Sequence, residues 1–518
     1  MGTSYIPLPP WALAVCFAPL WFFVLSKAQN WKQAFWAGWL TQFFLSLIGF
    51  HWVAFVAHEF GYLPWVVAVP ILLLFASTVH IYFAMVAGLG YWLRKRLALN
   101  ELSTLLLMVS LLTLAEGWWP SLFPWNLGYP WLAAKLPIAQ IADTIGFLGL
   151  SFLTHLVSAV AAYLYLKRDR ALTVVTAGMI LILFGFLNWV GLQKEKQWQT
   201  TDSTLRVLQV QANIGNLEKV YAEKGTGYQQ EILNQFFNLT RQGLAKYPQT
   251  NLVVWPETAY PDALNDSERN RKYPSQFFQF IGEVHKPILT GAYAKDPPEM
   301  TSPNEYNGLF LFDAQGVALA PAYHKTYLLA YGEYTPFADV FPWMAKLSPA
   351  GVGFAKGPGP TVMPFLDSVV GLQICYESLY PSFSQELSRK GATWLVNLTN
   401  DSWFGPTFEP WQHMYMTLAR AIEVRRPLVR STNTGITTSI LASGEILPFS
   451  PISQAWFGLN EIRYLKNPPE TFYVKYGGWL PLVLLLIITF TLANSLIFGR
   501  SRTGTPPDDE KNTAAHKS

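Results

Sequence analysis

Charge and cysteine are both scarce in this chain. Only 14% of its 518 residues are Asp, Glu, Lys or Arg, while 51% are hydrophobic and 15% aromatic. Soluble domains carry roughly a quarter of charged residues, so water alone is not the solvent of this protein. The formal net charge of +4 is small and lies partly in short loops, which excludes the basic footprint that nucleic acid requires. The two cysteines, Cys16 and Cys375, fall in different regions, so the polar block around Cys375 can hold no internal disulfide. A lone thiol there is either a small buried hydrophobe or a reactive group. Internal repeats are also lacking.

Long apolar runs are what the chain has in place of charge. Stretches near the roughly 20 residues that span a hydrocarbon core occur at about 7–26, 34–57, 63–93, 101–122, 143–166, 172–192 and 475–498. That predicts about seven transmembrane helices, six before a polar block and one after it. No Lys or Arg precedes the first run, and no small-residue cleavage site follows it, so it reads as a retained helix. Basic residues gather after alternate spans: Lys27 and Lys32, then Arg94 to Arg96, then Lys167, Arg168 and Arg170, then Arg500 and Arg502. Positive loops stay cytoplasmic, which places the polar block outside the cytoplasm and the C-terminus inside.

The polar block alternates predicted strands and helices. Strands are expected at 203–214, 251–256, 287–293, 306–312, 369–375, 393–398, 428–433 and 436–442, and helices at 226–246, 274–285, 382–390 and 410–425. The division is 1–199 for a six-helix membrane region, 200–472 for one catalytic domain, 473–499 for a last membrane helix and 500–518 for a disordered cytoplasmic tail. Alternating strands and helices imply a sheet covered by helices.

Three stretches set a reactive side chain at or behind a strand end. "VVWPETAYP" carries Glu257; "AYHKTYLLAYGEYTPF" carries Lys325 and Glu333; "VVGLQICYESLYP" carries Cys375, Tyr376 and Glu377. A thiol attacks as thiolate, so it needs a base or a cationic neighbour. Acyl transfer also needs donors for a tetrahedral oxyanion. A carboxylate, an ammonium and a thiol suffice for making and breaking a thioester, although each could equally be a loop cap, a solvated charge or packing.

The same three stretches, in that order, resemble the catalytic segments of the nitrilase superfamily. With the flanking apolar runs and "TNDSWFGPTFEPWQHMYMTLARAIEVRRPLVRSTNTGIT" at 399–437, nearly all of residues 5–498 is similar to the apolipoprotein N-acyltransferases of bacterial inner membranes. The resemblance implies an α+β membrane protein: a transmembrane helical bundle carrying an extracytoplasmic nitrilase-like αββα sandwich. It implies Glu257 as general base, Lys325 as oxyanion stabiliser and Cys375 as nucleophile, supported by Glu333, Tyr376 and Glu377, with no cofactor and no metal. The implied partners are a phospholipid acyl donor, typically phosphatidylethanolamine, and a diacylated apolipoprotein acceptor. Two departures stand out: the family's usual first span is missing, and Val220, followed by Tyr221, occupies a position where members commonly carry Trp.

Two other readings fit the residues. A membrane-tethered amidase would use the same trio on a small carbon–nitrogen substrate, and a non-catalytic scaffold or transporter would not use it. Aromatic stretches at 116–131 and 402–411 could line a lipid-facing lip or serve as interfacial anchors. His51, His80, Glu59 and Glu116 lie in or near spans, and no His/Glu pair among them has one-helix i, i+3 or i+4 spacing.

Overall fold

The computed structural model describes residues 2–121, 123–215, 228–296, 300, 304–330, 332–338, 340–343 and 353–499. The Val220–Tyr221 position and the tail 500–518 lie outside the described residues.

The apolar runs fold as a helical bundle. Trp65–Arg96, Glu101–Trp118, Pro137–Lys167, Arg170–Gln197 and Trp479–Ile497 are each long and apolar enough to cross a membrane. Trp31–Gly49 and Trp52–Glu59, bent by 56°, make a sixth if the pair is one span. Polar caps begin several of these helices. Asn30, Asn100 and Asp169 accept from the N–H of Gln33, Ser103 and Leu172, which satisfies donors a helix start otherwise leaves unpaired.

The count of seven spans is not confirmed at its first member, because of 7–26 only Ala18–Ser26 is α-helical. Pro7, Pro9 and Pro10 withhold N–H donors, and the chain behind them closes three-residue turns, Leu13 N to Pro10 O at 3.3 Å and Val15 N to Ala12 O at 3.0 Å. The segment is still interior to the bundle, with Tyr5, Ile6, Leu13 and Phe17 buried. Glu116 also finds a histidine partner, on another helix: His155 Nε2 lies 2.7 Å from Glu116 Oε1, and Ser151 donates to the second oxygen. A search along one helix does not see this pair.

The polar block forms two sheets. One has the order β11-β1-β2-β3-β4-β5 and the other β10-β9-β8-β7-β6. Their ranges are β1 Ser203–Gln211, β2 Leu252–Val254, β3 Ile288–Lys295, β4 Glu305–Phe312, β5 Tyr323–His324, β6 Val362–Phe365, β7 Ser368–Ile374, β8 Trp394–Thr399, β9 Leu428–Thr432, β10 Thr438–Ile440 and β11 Trp456–Tyr464. The central strands β1-β2-β3 and β7-β8-β9 pair in parallel and are buried on both faces, as their Val- and Leu-rich composition requires.

Side-chain alternation assigns the faces. Leu205 and Val207 of β1 join Leu372, Ile374, Val396 and Val429 in the core between the sheets. Leu208 and Val210 turn outward beneath the helices Tyr228–Lys246 and Lys272–Val284. Trp255 fills that outer layer against Phe236, Phe277 and Phe280, its indole N–H on Thr240 Oγ1 at 3.0 Å. Helices Pro381–Arg389 and Glu409–Val424 cover the second sheet. The result is the αββα layering.

The sandwich is seated on the bundle by buried polar clasps. Arg425 donates to Asp143 Oδ2 at 2.8 and 3.0 Å, to Gln140 Oε1 at 2.7 Å and to the carbonyls of Gln140 and Ala442. Gln412 takes the Trp52 indole N–H at 3.0 Å and donates to the carbonyls of Ile6 and Gly49.

Candidate active site

Each of the three reactive stretches reaches the same end of the sandwich by its own strand. β2 ends at Val254 and the chain continues through Trp255 and Pro256 to Glu257, pinned beside β3 by Trp255 N to Leu289 O at 2.9 Å and Gly291 N to Pro256 O at 3.1 Å. A side chain at Gly291 would put its Cβ 2.6 Å from Glu257 Cα, so only glycine permits this approach. Lys325 follows β5, its N–H on Asn307 O at 2.9 Å and its carbonyl taken by Gly357 N at 2.8 Å. Cys375 directly follows β7.

The side chains of Glu257 and Lys325 meet. Lys325 Nζ lies 3.1 Å from Glu257 Oε1 and 2.8 Å from Glu333 Oε1. Asn307 Nδ2 donates to the same two oxygens at 2.7 and 2.9 Å, and Leu329 N holds the other oxygen of Glu333 at 2.8 Å. Lys325 is 1% and Glu257 5% exposed. Burial works against the Lys325 ammonium, but Glu257 and Glu333 outweigh it and hold its pKa well above that of an ordinary lysine. The group stays cationic across the physiological range.

Cys375 keeps an open edge to solvent and is packed by protein on its other sides. That desolvation, then the charge of Glu257, pushes its thiol well up, with Lys325 and a hydrogen bond to Thr399 pulling the other way. At rest the sulfur is therefore protonated, within the electrostatic reach of the Glu257 carboxylate and the Lys325 ammonium. Its backbone is left-handed, φ +50°, a conformation that costs an L-residue roughly 1–2 kcal/mol. Thr258, beside Glu257, is also left-handed at φ +46°. Strain of this kind gathers where surrounding structure fixes reacting groups.

Glu377 does not point at Lys325 as a partner. It accepts from the Tyr323 hydroxyl at 2.7 Å and from the N–H of Thr326, Tyr327 and Ile374 at 2.6, 3.2 and 2.7 Å. One carboxylate thus ties the lysine loop to the turn that carries Cys375. Burial pushes it up to about 7, against the pull of the Tyr323 hydroxyl and those N–H groups. The Tyr376 hydroxyl accepts from Tyr380 at 2.8 Å, and their rings meet edge to face. Asn307 is the close contact that sequence reasoning missed; its signal was a polar residue in the apolar strand "YNGLFLF".

Comparison with known proteins fits this arrangement. Residues 196–453 match the carbon-nitrogen hydrolase family, and residues 1–160 match the apolipoprotein N-acyltransferase N-terminal domain. An apolipoprotein N-acyltransferase of Bdellovibrio bacteriovorus is 47% identical over 97% of this chain and 93% of its own. One from Geobacter metallireducens is 31% identical over 89% and 87%. Among solved structures, a Helicobacter pylori carbon-nitrogen hydrolase aligns with 57% of this chain and 99% of its own, at 15% identity and a TM-score of 0.38. The chain belongs to the apolipoprotein N-acyltransferase family, within the nitrilase superfamily.

Proposed function

We propose that this enzyme transfers an acyl chain from a membrane phospholipid to the N-terminal amine of a lipoprotein through a thioester on Cys375. The donor is the sn-1 chain of a phospholipid such as phosphatidylethanolamine, and the acceptor is the α-amine of a diacylglyceryl-cysteine. Glu257 takes the thiol proton as the sulfur attacks the ester carbonyl, and Lys325 Nζ meets the oxyanion. Collapse breaks the ester C–O bond, Glu257 returns its proton to the departing lysophospholipid oxygen, and the acyl group remains on sulfur. The acceptor amine then attacks the thioester, loses a proton to Glu257, and the amide forms as the thiolate leaves and is reprotonated.

Glu333 and Asn307 orient Lys325, and Glu377 fixes the loop around it. The observation that carries this reading is the Lys325 ammonium lodged between Glu257 and Glu333, with the left-handed Cys375 within the electrostatic reach of Lys325 and Glu257. The membrane bundle supports lipid substrates: drawing an acyl chain into water costs about 0.8 kcal/mol per methylene, a cost avoided by a site seated on membrane helices. We assign residues 1–199 and 473–499 to an inner-membrane anchor, 200–472 to a periplasmic catalytic domain and 500–518 to the cytoplasmic side. An amidase would need none of the anchoring.

The test is single-turnover incubation with labelled phospholipid, read by intact mass. An acyl adduct on the wild type that hydroxylamine removes, and none on Cys375→Ala, is the expected result. Ammonia release from small amides with no lipid-derived adduct would favour the amidase instead.

A further inference from the structure

A second set of buried ionisable groups that this chemistry does not use reaches the backbone carbonyl of Cys375. Asp401 follows β8 in the short turn Asp401–Phe404; Glu409 and His413 sit one turn apart at the start of the helix Glu409–Val424; Arg430 lies on β9. All four are at most 2% exposed. Arg430 Nη2 holds Asp401 Oδ2 at 2.6 Å, and His413 Nδ1 lies 3.0 Å from Asp401 Oδ1 and 3.6 Å from Glu409 Oε1. Neither oxygen of Glu409 has a hydrogen-bond partner among the described residues.

Two routes lead from this cluster to the nucleophile, and both end on one atom. His413 Nε2 faces the carbonyl oxygen of Cys375 at 3.4 Å. Arg430 Nη1 holds Asn397 Oδ1 at 2.8 Å, which turns Asn397 Nδ2 onto the same carbonyl at 3.0 Å. Ser378 Oγ completes the set at 2.9 Å. That carbonyl belongs to the residue with φ +50°, so these donors hold the left-handed turn that aims the sulfur.

The hydrogen-bond pattern fixes the state of the imidazole. Nδ1 faces carboxylate oxygens and Nε2 faces a carbonyl oxygen, so both ring nitrogens meet acceptors only. A neutral imidazole would set a lone pair against one of them, whereas an imidazolium donates at both. Burial and Asp401 push Glu409 well above the carboxylate range, while burial and Arg430 pull His413 down against the pull of Asp401. Both directions favour a neutral ring beside a protonated Glu409; the acceptors facing both ring nitrogens oppose them, and that geometry is what places the proton on the ring. Glu409 opens its helix, where the positive end favours a carboxylate. The cluster is then neutral overall: two cations, Arg430 and His413, face two anions, Asp401 and Glu409.

We propose that His413, as an imidazolium locked between Asp401 and Glu409, is a positioning residue for the nucleophile that holds the Cys375 carbonyl and the strained turn. The donor atoms of Asp401, Glu409 and His413 all lie within 4.8 Å of one another, as in a cation site. Arg430, already bound to Asp401, supplies the positive charge such an ion would bring.

The inference rests on Cys375 as the acylated residue, so the experiment measures adduct formation at Cys375 in full-length enzyme reconstituted with phosphatidylethanolamine, as a function of pH. If that reading is wrong, no variant, nor the wild type, shows an adduct. Deprotonation of the ring leaves a lone pair against the carbonyl, so acylation has an alkaline limb. Glu409→Gln removes a carboxylate that holds the proton and should move this limb toward acid by at least about one pH unit, a roughly tenfold loss at fixed pH on the limb; Glu409→Asp should restore it. A limb unmoved in Glu409→Gln, with wild-type melting temperature, overturns the proposal. Independently of any variant, 15N-histidine NMR of the wild type should retain an imidazolium near about pH 8, well above the ordinary histidine range; its absence overturns the proposal, as does stoichiometric metal in the purified enzyme.

Discussion

Replacing Lys325 by Met separates what the buried ammonium does for folding from what it does for chemistry. The two carboxylate oxygens it bridges lie 3.1 and 2.8 Å from Nζ. Without the cation they remain no more than about 6 Å apart, and their repulsion at an effective dielectric of roughly 20 is about 3 kcal/mol. That agrees with the about 3–5 kcal/mol lost when one partner of a buried pair is removed. For a domain of this size it corresponds to a fall in melting temperature on the order of 6 °C.

Lys325→Met combined with Glu333→Gln removes the repulsion and should recover most of that loss. Acyl-adduct formation should not recover, because the oxyanion still lacks its cation, an effect of about 10²–10³ in rate. Thermal unfolding in detergent and single-turnover acylation read the two quantities separately. If Lys325→Met melts with the wild type, or if the double variant regains activity, the assignment of Lys325 as both bridge and oxyanion donor is refuted. The lysine contribution also has a defined pH window. Its folded pKa is raised, so the stabilisation is complete below the unfolded value of about 10.4 and is lost as pH rises through the folded one.

At φ +50°, Cys375→Gly should melt no lower than Cys375→Ala, because glycine recovers about 1 kcal/mol of left-handed strain; both should be inactive, and an alanine variant that melts higher would argue against strain at this turn. With the Glu377 carboxyl near 7, acylation should fall as pH drops through about that value and its backbone donors lose their acceptor. Stability should move the opposite way, rising as pH falls from 7 toward an unfolded value of about 4.3, since the folded form binds the proton more tightly; a pH–rate profile flat from 5 to 8 contradicts this. Gly291→Ala, whose Cβ would press on Glu257 Cα and Thr258 N at 2.6 Å, should cost about 1–3 kcal/mol in stability and displace the base, lowering acylation at least about tenfold. Unchanged kinetics in that variant would mean the β2–β3 approach does not position Glu257.

Much of the candidate site was readable because its residues sit in contiguous words. Glu257 and Cys375 each follow a strand whose apolar run is visible, Lys325 falls in the stretch behind the predicted strand 306–312, and the eight predicted strands overlap β1–β4 and β7–β10. What escaped reading was short or locally ambiguous. β5 has two residues, β6 contains Pro364, and β11 turns Gly458 and Asn460 inward where an apolar pattern would be expected. Asn307, the Asp401–His413–Arg430 set and the Glu116–His155 pair are assembled from different elements, so no spacing along the chain announces them. The first apolar run misled because composition measures solvent preference, whereas its prolines decide hydrogen bonding.

The Arg425 clasp fixes how the sandwich sits on the helical bundle. Because it joins a helix end to strand-flanking backbone and to Asp143, and involves no long loop, the sandwich has little freedom to rock against the helices that carry it.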